Sequence, residues 1–206
     1  MPGFATTSPM THEMLFALAL GYLFGSIPFG LLLARLGGKG DIRDIGSGNI
    51  GATNVLRTGS KTLAALTLVL DCLKATAAIL IARALWGESA DFAAAAGAML
   101  GHLYSVWLGF KAGKGVATLL GVLLAIFPLG AAIYAAVWLF LFLATRISSA
   151  AGMAAAVSAP VSEFILGTRE YFPLLLGFAA LVLWKHRANF ARLKAGTEPK
   201  FGKGKD

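Results

Sequence analysis

GVATLLGVLLAIFPLGAAIYAAVWLFLFLAT, residues 115–145, contains no charged side chain. A helix that crosses a bilayer needs roughly 20 mostly apolar residues, because each advances ~1.5 Å through a hydrocarbon core ~30 Å thick. This run is too long for one crossing. Pro128 and Gly130 stand near its middle, where proline interrupts the helical hydrogen-bond ladder. It therefore reads as two helices joined by a tight turn.

Similar runs lie on both sides. Residues 14–34 are uncharged, and Pro28 near their end kinks the helix or frees a carbonyl. Residues 62–86 carry Asp71, Lys74 and Arg83; residues 92–110, 149–166 and 172–184 complete seven spans. The fold class is thus an all-α polytopic integral membrane protein with seven transmembrane helices. Composition agrees, with 57% hydrophobic and only 14% charged residues among 206, where a soluble domain carries about 25% charged. Mean hydropathy is +0.74. No linker or repeat divides the chain, so residues 1–206 read as one domain, with 1–11 and 201–206 as flexible tails. The N-terminus lacks the basic region of a cleaved signal peptide, which makes the first run a retained span. The single cysteine, Cys72, excludes an internal disulfide.

Charge sets the orientation. With seven spans, all of the 18 basic residues except Lys74, Arg83 and Arg169 fall on one side. The opposite loops carry Glu13, Glu88, Asp91 and Glu170. Basic residues collect on the cytoplasmic side of membrane proteins, so the N-terminus is outside and the C-terminus cytoplasmic. The same clustering beside apolar runs argues that the net charge of +8 serves the membrane and not a nucleic acid.

Three polar segments share that cytoplasmic side. The first, GKGDIRDIGSGNIGATNVLRTGSK (38–61), is rich in Gly, Ser, Asn and Thr, with Arg43, Arg57 and Lys61 spaced through it. Bendable backbone N–H groups with hydroxyl, amide and guanidinium donors suit a phosphate; the alternative is a flexible loop whose glycines only turn the chain. Gly46 to Gly51 fits G-x-G-x-x-G, but no strand precedes it and no βαβ unit follows, so a nucleotide fold is rejected. The second, GFKAGKGVAT (109–118), superficially resembles a P-loop but has the wrong spacing, and Gly115 stands where Ser or Thr belongs. Its lysines at a helix start form an anion cradle or simply mark a cytoplasmic turn. The third, KHRANFARL (185–193), followed by Gly196, Thr197 and Glu198, puts His186, Asn189 and Leu193 on one helical face; it also fits a basic helix drawn to anionic lipid. Together the three offer many donors and cations but only Asp41, Asp44 and Glu198 as acids. A binding site for a dianionic, phosphate-bearing substrate is the simplest physical reading.

The stretches GSGNIGATNVLRTGSK, HLYSVWLGFKAGKGVAT and HRANFARLKAGTEPKFG resemble the three signature segments of the PlsY family of bacterial acyl-phosphate:glycerol-3-phosphate acyltransferases. Their order and the intervening apolar runs match too, so the resemblance covers nearly the whole chain. Ser105 stands where the family usually has Pro, and Ala112 where it usually has Gly. The resemblance implies a seven-helix enzyme of the bacterial cytoplasmic (inner) membrane, its site facing the cytoplasm. It would move a fatty acyl group from acyl phosphate to the 1-hydroxyl of sn-glycerol 3-phosphate, giving lysophosphatidic acid and inorganic phosphate. The donor would come from the acyl phosphate synthase PlsX.

By resemblance Arg57, Lys114, His186 and Asn189 take glycerol 3-phosphate, with Ser47 alongside. Asn49, Thr53 and Asn54, with Lys111, Gly113 and Gly115 of the second loop and Arg187 of the third segment, shape the site or hold the acyl phosphate. A mixed anhydride already has a good leaving group, so no covalent acyl-enzyme is required and the work is positioning and charge neutralisation. The hydroxyl proton goes to the donor's own phosphate or to neutral His186. No His is followed by Asp five positions later, which excludes the His-x-x-x-x-Asp class of glycerolipid acyltransferase. Asp71 and Lys74, three apart in a span, read as a structural ion pair, and His102 as a packed polar group. Three scattered His and one Cys offer no metal-ligand spacing, and no cofactor is expected. A transporter for a phosphorylated metabolite is the second reading; it lacks an inverted repeat.

Overall fold

A computed structural model describes residues 11–202. Helix occupies each of the seven apolar runs, and no strand occurs among the described residues. In order these are α1 (His12–Ser26), α2 (Phe29–Leu36), α3 (Ala52–Leu56), α4 (Lys61–Trp86), α5 (Asp91–Leu103), α6 (Val116–Ile126), α7 (Pro128–Thr145), α8 (Ser148–Leu166), α9 (Phe172–Lys185) and α10 (Arg187–Lys194). Four segments are long and apolar enough to cross a membrane: His12–Leu36, α4, α7 and α8. Helices α5, α6 and α9 are shorter.

The breaks have identifiable causes. Pro28 separates α1 from α2, and the Ile27 carbonyl that the break releases accepts a hydrogen bond from Lys74 Nζ at 2.9 Å. The long uncharged run breaks at Phe127, whose φ of −151° is not helical. Pro128 then starts α7, where its missing N–H has no intrahelical partner to lose. The run expected over 92–110 is helical only to Leu103. There the Gly113 N–H takes the His102 carbonyl (3.1 Å) and Ser105 Oγ donates to the Ser26 carbonyl (2.7 Å), so the chain folds back beneath α5.

Two polar layers show that the helical runs alternate in direction. At one end Arg83 Nη2 donates to Asp91 Oδ2 (2.5 Å) and to the Ala125 carbonyl (3.1 Å), while Tyr171 Oη donates to Asp91 (3.0 Å). Those residues close the α4–α5, α6–α7 and α8–α9 connections, and Phe16 near the start of α1 stacks on Trp86 there. The α2–α4, α5–α6 and α7–α8 connections and the C-terminal segment meet at the other end. Outward faces between the layers expose Leu66, Val69, Leu73, Leu80, Phe140 and Leu143, as a surface in contact with lipid requires.

Helices α1 and α5 touch backbone to backbone. A Cβ on Gly21 or Gly25 would lie 2.2 Å or 2.1 Å from the carbonyl oxygens of Ala94 and Ala98, and one on Gly97 or Gly101 would lie 2.1 Å or 2.3 Å from those of Leu18 and Tyr22. Both helices thus carry a small residue at i and i+4, the spacing that lets membrane helices approach closely. Helix α6 crosses α4 in the same manner: a Cβ on Gly121 would lie 1.9 Å from the Cys72 carbonyl.

Residues 1–10 and 203–206, most of the two tails expected to be flexible, lie outside the described residues. Thr11 caps α1 through its hydroxyl, which accepts from Met14 N. Phe201 is not a loose end: its N–H donates to the Arg146 carbonyl at 2.8 Å and its ring packs on Phe142.

Gly97→Ala is expected to force α1 from α5 and to cost about 1–3 kcal/mol, the usual range for an overpacked core. A lowered thermal midpoint in detergent checks this. Gly177→Ala, where a Cβ meets nothing within 4 Å, is expected to leave the midpoint unchanged.

Candidate active site

The first loop is folded, not flexible. Ile42, Ile50 and Val55 bury against Leu31, Ala34 and Ala64 of the flanking helices. Asn54 holds the loop from within: its Nδ2 donates to the carbonyls of Ile42 (2.7 Å) and Ile45 (3.2 Å), and its Oδ1 accepts from Ser47 N (3.2 Å) and Arg57 Nη1 (3.3 Å). The amide is fully used, so Asn54 shapes the site. Gly46 has φ +56°, and a Cβ there would lie 2.5 Å from Asn54 Oδ1 and 2.7 Å from Arg57 Nη1. Conformation and space both demand glycine. Asp41 accepts from Arg35 and Arg43; the Arg43 bond above all holds its carboxyl well below the usual range.

The second loop rests on His102. A Cβ on Gly113 would lie 2.0 Å from His102 Nε2, so glycine lets the loop seat directly on the imidazole. Below it, Lys74 Nζ donates to Asp71 Oδ1 (2.7 Å) and lies 3.0 Å from His102 Nδ1. Asp71 and Lys74 thus form the expected buried pair, and Asp71 and His102 also line the cavity described below. The two departures from the family pattern are accommodated. Ser105 gains its bond to Ser26, and Ala112 is not among the residues with positive φ.

The third segment places His186 at the junction of α9 and α10. Its Nδ1–H donates to the Val182 carbonyl at 2.8 Å, which leaves Nε2 as the lone-pair nitrogen. Burial first, then the nearby Lys114 charge, pulls the His186 pKa down to about 4, so the ring is neutral at pH 7. Asn189 Oδ1 accepts from Lys114 Nζ (2.5 Å), and Asn189 Nδ2 donates to Glu198 (2.6 Å). Glu198 also accepts from Ser149 Oγ (2.6 Å) and Arg192 Nε (2.7 Å). Burial pushes its carboxyl up, but these three bonds outweigh burial and hold it below its ordinary range.

These pieces enclose a cavity of 350 Å³. Ser47, Asn49, Thr53, Asn54, Arg57, Lys114, Gly115, His186 and Asn189 all line it. Lys111, Gly113 and Arg187 do not; they line a separate cavity that shares only Lys114 with the first. Sequence reasoning missed Ser149, Arg192 and Glu198 as members of the site. One signal was available: Glu198 is one of only three acids among the polar segments of the basic side.

The lining of the first cavity is chemically mixed. Arg57 and Lys114 face it, and among the described residues neither pairs with a carboxylate. The N-termini of α6 and α8 open onto it at Val116 and Ser148, adding free N–H groups and the positive ends of helix dipoles. Burial, helped by Arg192, lowers the Lys114 pKa to about 8. Leu68 of α4, Val116 and Ala117 of α6, and Trp138 of α7 add apolar groups to the same lining. The arrangement suits a phosphate attached to, or lying beside, an alkyl chain.

Residues 15–196 match the family model described as Glycerol-3-phosphate acyltransferase. Among similar proteins, the glycerol-3-phosphate acyltransferase of Agrobacterium fabrum is 53% identical over 200 residues, covering 96% of this chain and 98% of that protein. That of Methylorubrum populi is 56% identical over 186 residues, covering 90% and 92%. The chain superposes on the crystal structure of PlsY, an integral membrane glycerol 3-phosphate acyltransferase, in its glycerol 3-phosphate form. The TM-score is 0.85 at 40% identity, over 92% of this chain and 96% of that one. The lysophosphatidic acid form gives 0.83.

Lys114 predicts a pH dependence. Its charged form is present below about 8 and lost above, so sulfate, whose own charge is constant, is expected to bind about tenfold more weakly once pH passes that value, the size of one charge-assisted bond. Thermal-shift titration checks this, and Lys114→Arg, which stays protonated, is expected to remove the fall.

Proposed function

The chain belongs to the glycerol-3-phosphate acyltransferase family, and we propose that it transfers a fatty acyl group from acyl phosphate to the 1-hydroxyl of sn-glycerol 3-phosphate. The products are lysophosphatidic acid and inorganic phosphate. The observation that carries this reading is the mixed lining of the cavity. Arg57 and Lys114, each held by a neutral amide, and two helix N-termini meet the needs of a phosphate, and the apolar groups of Leu68, Ala117 and Trp138 suit an acyl chain.

The acceptor hydroxyl attacks the acyl carbonyl carbon, the bond from that carbon to the phosphate oxygen breaks, and phosphate leaves. Direct attack is supported by where the hydroxyls are engaged: Ser47 is held on Asn54 and Ser149 on Glu198, while His186 Nδ1 is held on Val182. The proton passes to the donor's phosphate. The phosphate gains basicity as the anhydride bond breaks, whereas the imidazole is held at about 4. His186 then orients the acceptor by taking a hydrogen bond from one of its hydroxyls at Nε2. Arg57 and Lys114 neutralise the phosphates, and Asn189 with Glu198 aims Lys114.

In the membrane the seven alternating runs form seven crossings, with the N-terminus outside and the site at the cytoplasmic face of the inner membrane. The alternation of the two polar layers and the excess of basic residues at the site end support this orientation. Glycerol 3-phosphate arrives from the cytoplasm, and acyl phosphate, the product of PlsX, arrives from the bilayer.

Phosphate release by the purified protein with palmitoyl phosphate is expected to require glycerol 3-phosphate and to fall at least about a hundredfold in Arg57→Ala and Lys114→Ala, as when a transition-state donor is lost. Movement of glycerol 3-phosphate across vesicles without any acyl donor would instead support a transporter. His186→Ala is expected to raise KM for glycerol 3-phosphate with kcat nearly unchanged; a kcat collapse at constant KM would make His186 the base.

A further inference from the structure

Lys111, Lys185 and Arg187 surround a second cavity of 400 Å³ where α9 ends and the chain leaves α5. It lies outside the cavity assigned to the reaction and meets it only at Lys114. Among the described residues no carboxylate lines it. Lys185 and Arg187 are held in place by neutral groups. Lys185 Nζ donates to the Leu103 carbonyl at 2.8 Å and lies 4.4 Å from the Tyr104 ring. Arg187 stacks on Trp184 at 4.9 Å and donates to the Trp184 carbonyl at 3.1 Å. An ammonium has three donors and a guanidinium five, so most of their N–H groups remain for a ligand.

Two aromatic side chains of its lining, Phe110 and Trp184, are more than half exposed. Exposed Trp beside clustered Lys and Arg is the pattern of the membrane–water interface, and basic pockets between helices on the cytoplasmic side suit phosphate headgroups.

We propose that Lys111, Lys185 and Arg187 form a second phosphate-binding site, distinct from the reaction cavity, at the level of the lipid headgroups. The phosphate is carried by an anionic phospholipid or by a soluble ion. Because Lys114 stands in both walls, an occupant here competes with the reaction cavity for one ammonium. The assignment rests on the membrane placement but not on the acyl-transfer chemistry.

The test is amine footprinting of the full chain in nanodiscs, with acetylation rates at individual lysines read by mass spectrometry. Replacing part of the phosphatidylcholine by phosphatidylglycerol is expected to slow Lys111 and Lys185 about fivefold, with far less effect on Lys61, a control at the same end of the bundle. In Arg187→Gln that selective protection is expected to weaken. Protection by inorganic phosphate in pure phosphatidylcholine discs, equally selective and equally sensitive to Arg187→Gln, would assign the site to the soluble ion. Uniform slowing of all three lysines, or no slowing with either probe, overturns the proposal. The wild-type pattern decides even if the variant unfolds, and the readout is independent of phosphate release.

Discussion

The ammonium of Lys74 is the group on which the rest of the arrangement depends. It is buried among apolar helices, where an unpaired charge costs several kcal/mol. It is therefore obliged to find partners, and it finds three: the Ile27 carbonyl freed by Pro28, Asp71 one turn before it, and His102 of α5. Three of the seven runs are thereby tied at one height. The His102 carbonyl holds the Gly113 N–H, and its ring supports the Gly113 backbone. The loop that presents Lys114 thus sits on a fixed base, and the glycine contacts between α1 and α5 let that base form where ordinary side chains would hold the helices apart.

Above that base, electrostatics selects what can bind. Glu198 is satisfied by Ser149, Asn189 and Arg192, and Asp71 by Lys74. The acids facing the cavity are thus already committed, while Arg57 and Lys114 pair with no carboxylate among the described residues. His186 contributes a lone pair and no charge. The result is a positive, partly desolvated pocket with apolar groups in its lining.

Much of this was legible in the sequence. Each apolar run is helical, Pro28 and Pro128 mark two real breaks, and the positions of Lys and Arg gathered the polar segments at one end. The failures were local. The third run looked apolar through Phe110, but its helix stops at Leu103, where the Gly113 N–H takes the His102 carbonyl that would continue the ladder and the Ser105 hydroxyl anchors the chain on the Ser26 carbonyl, contacts that the apolar pattern does not reveal. The glycine pairs at 21/25 and 97/101 were visible, yet their partners were not, since period alone does not say which helices touch. Lys111, Gly113 and Arg187, expected by resemblance to shape the site or hold the acyl phosphate, line a second cavity that meets the first at Lys114. Ser149 and Arg192 were passed over because a serine at a helix start and a basic residue near a membrane are each ordinary until Glu198 brings them together.

The central claim is that Arg57 and Lys114 together take the phosphate of glycerol 3-phosphate while His186 faces its hydroxyls. A high-resolution structure of this protein with glycerol 3-phosphate bound tests it most directly. Phosphate oxygens are expected ~3 Å from both Arg57 and Lys114, with a glycerol hydroxyl on His186 Nε2. Phosphate settled against Lys111 and Arg187, with the first cavity empty of ligand, would contradict it.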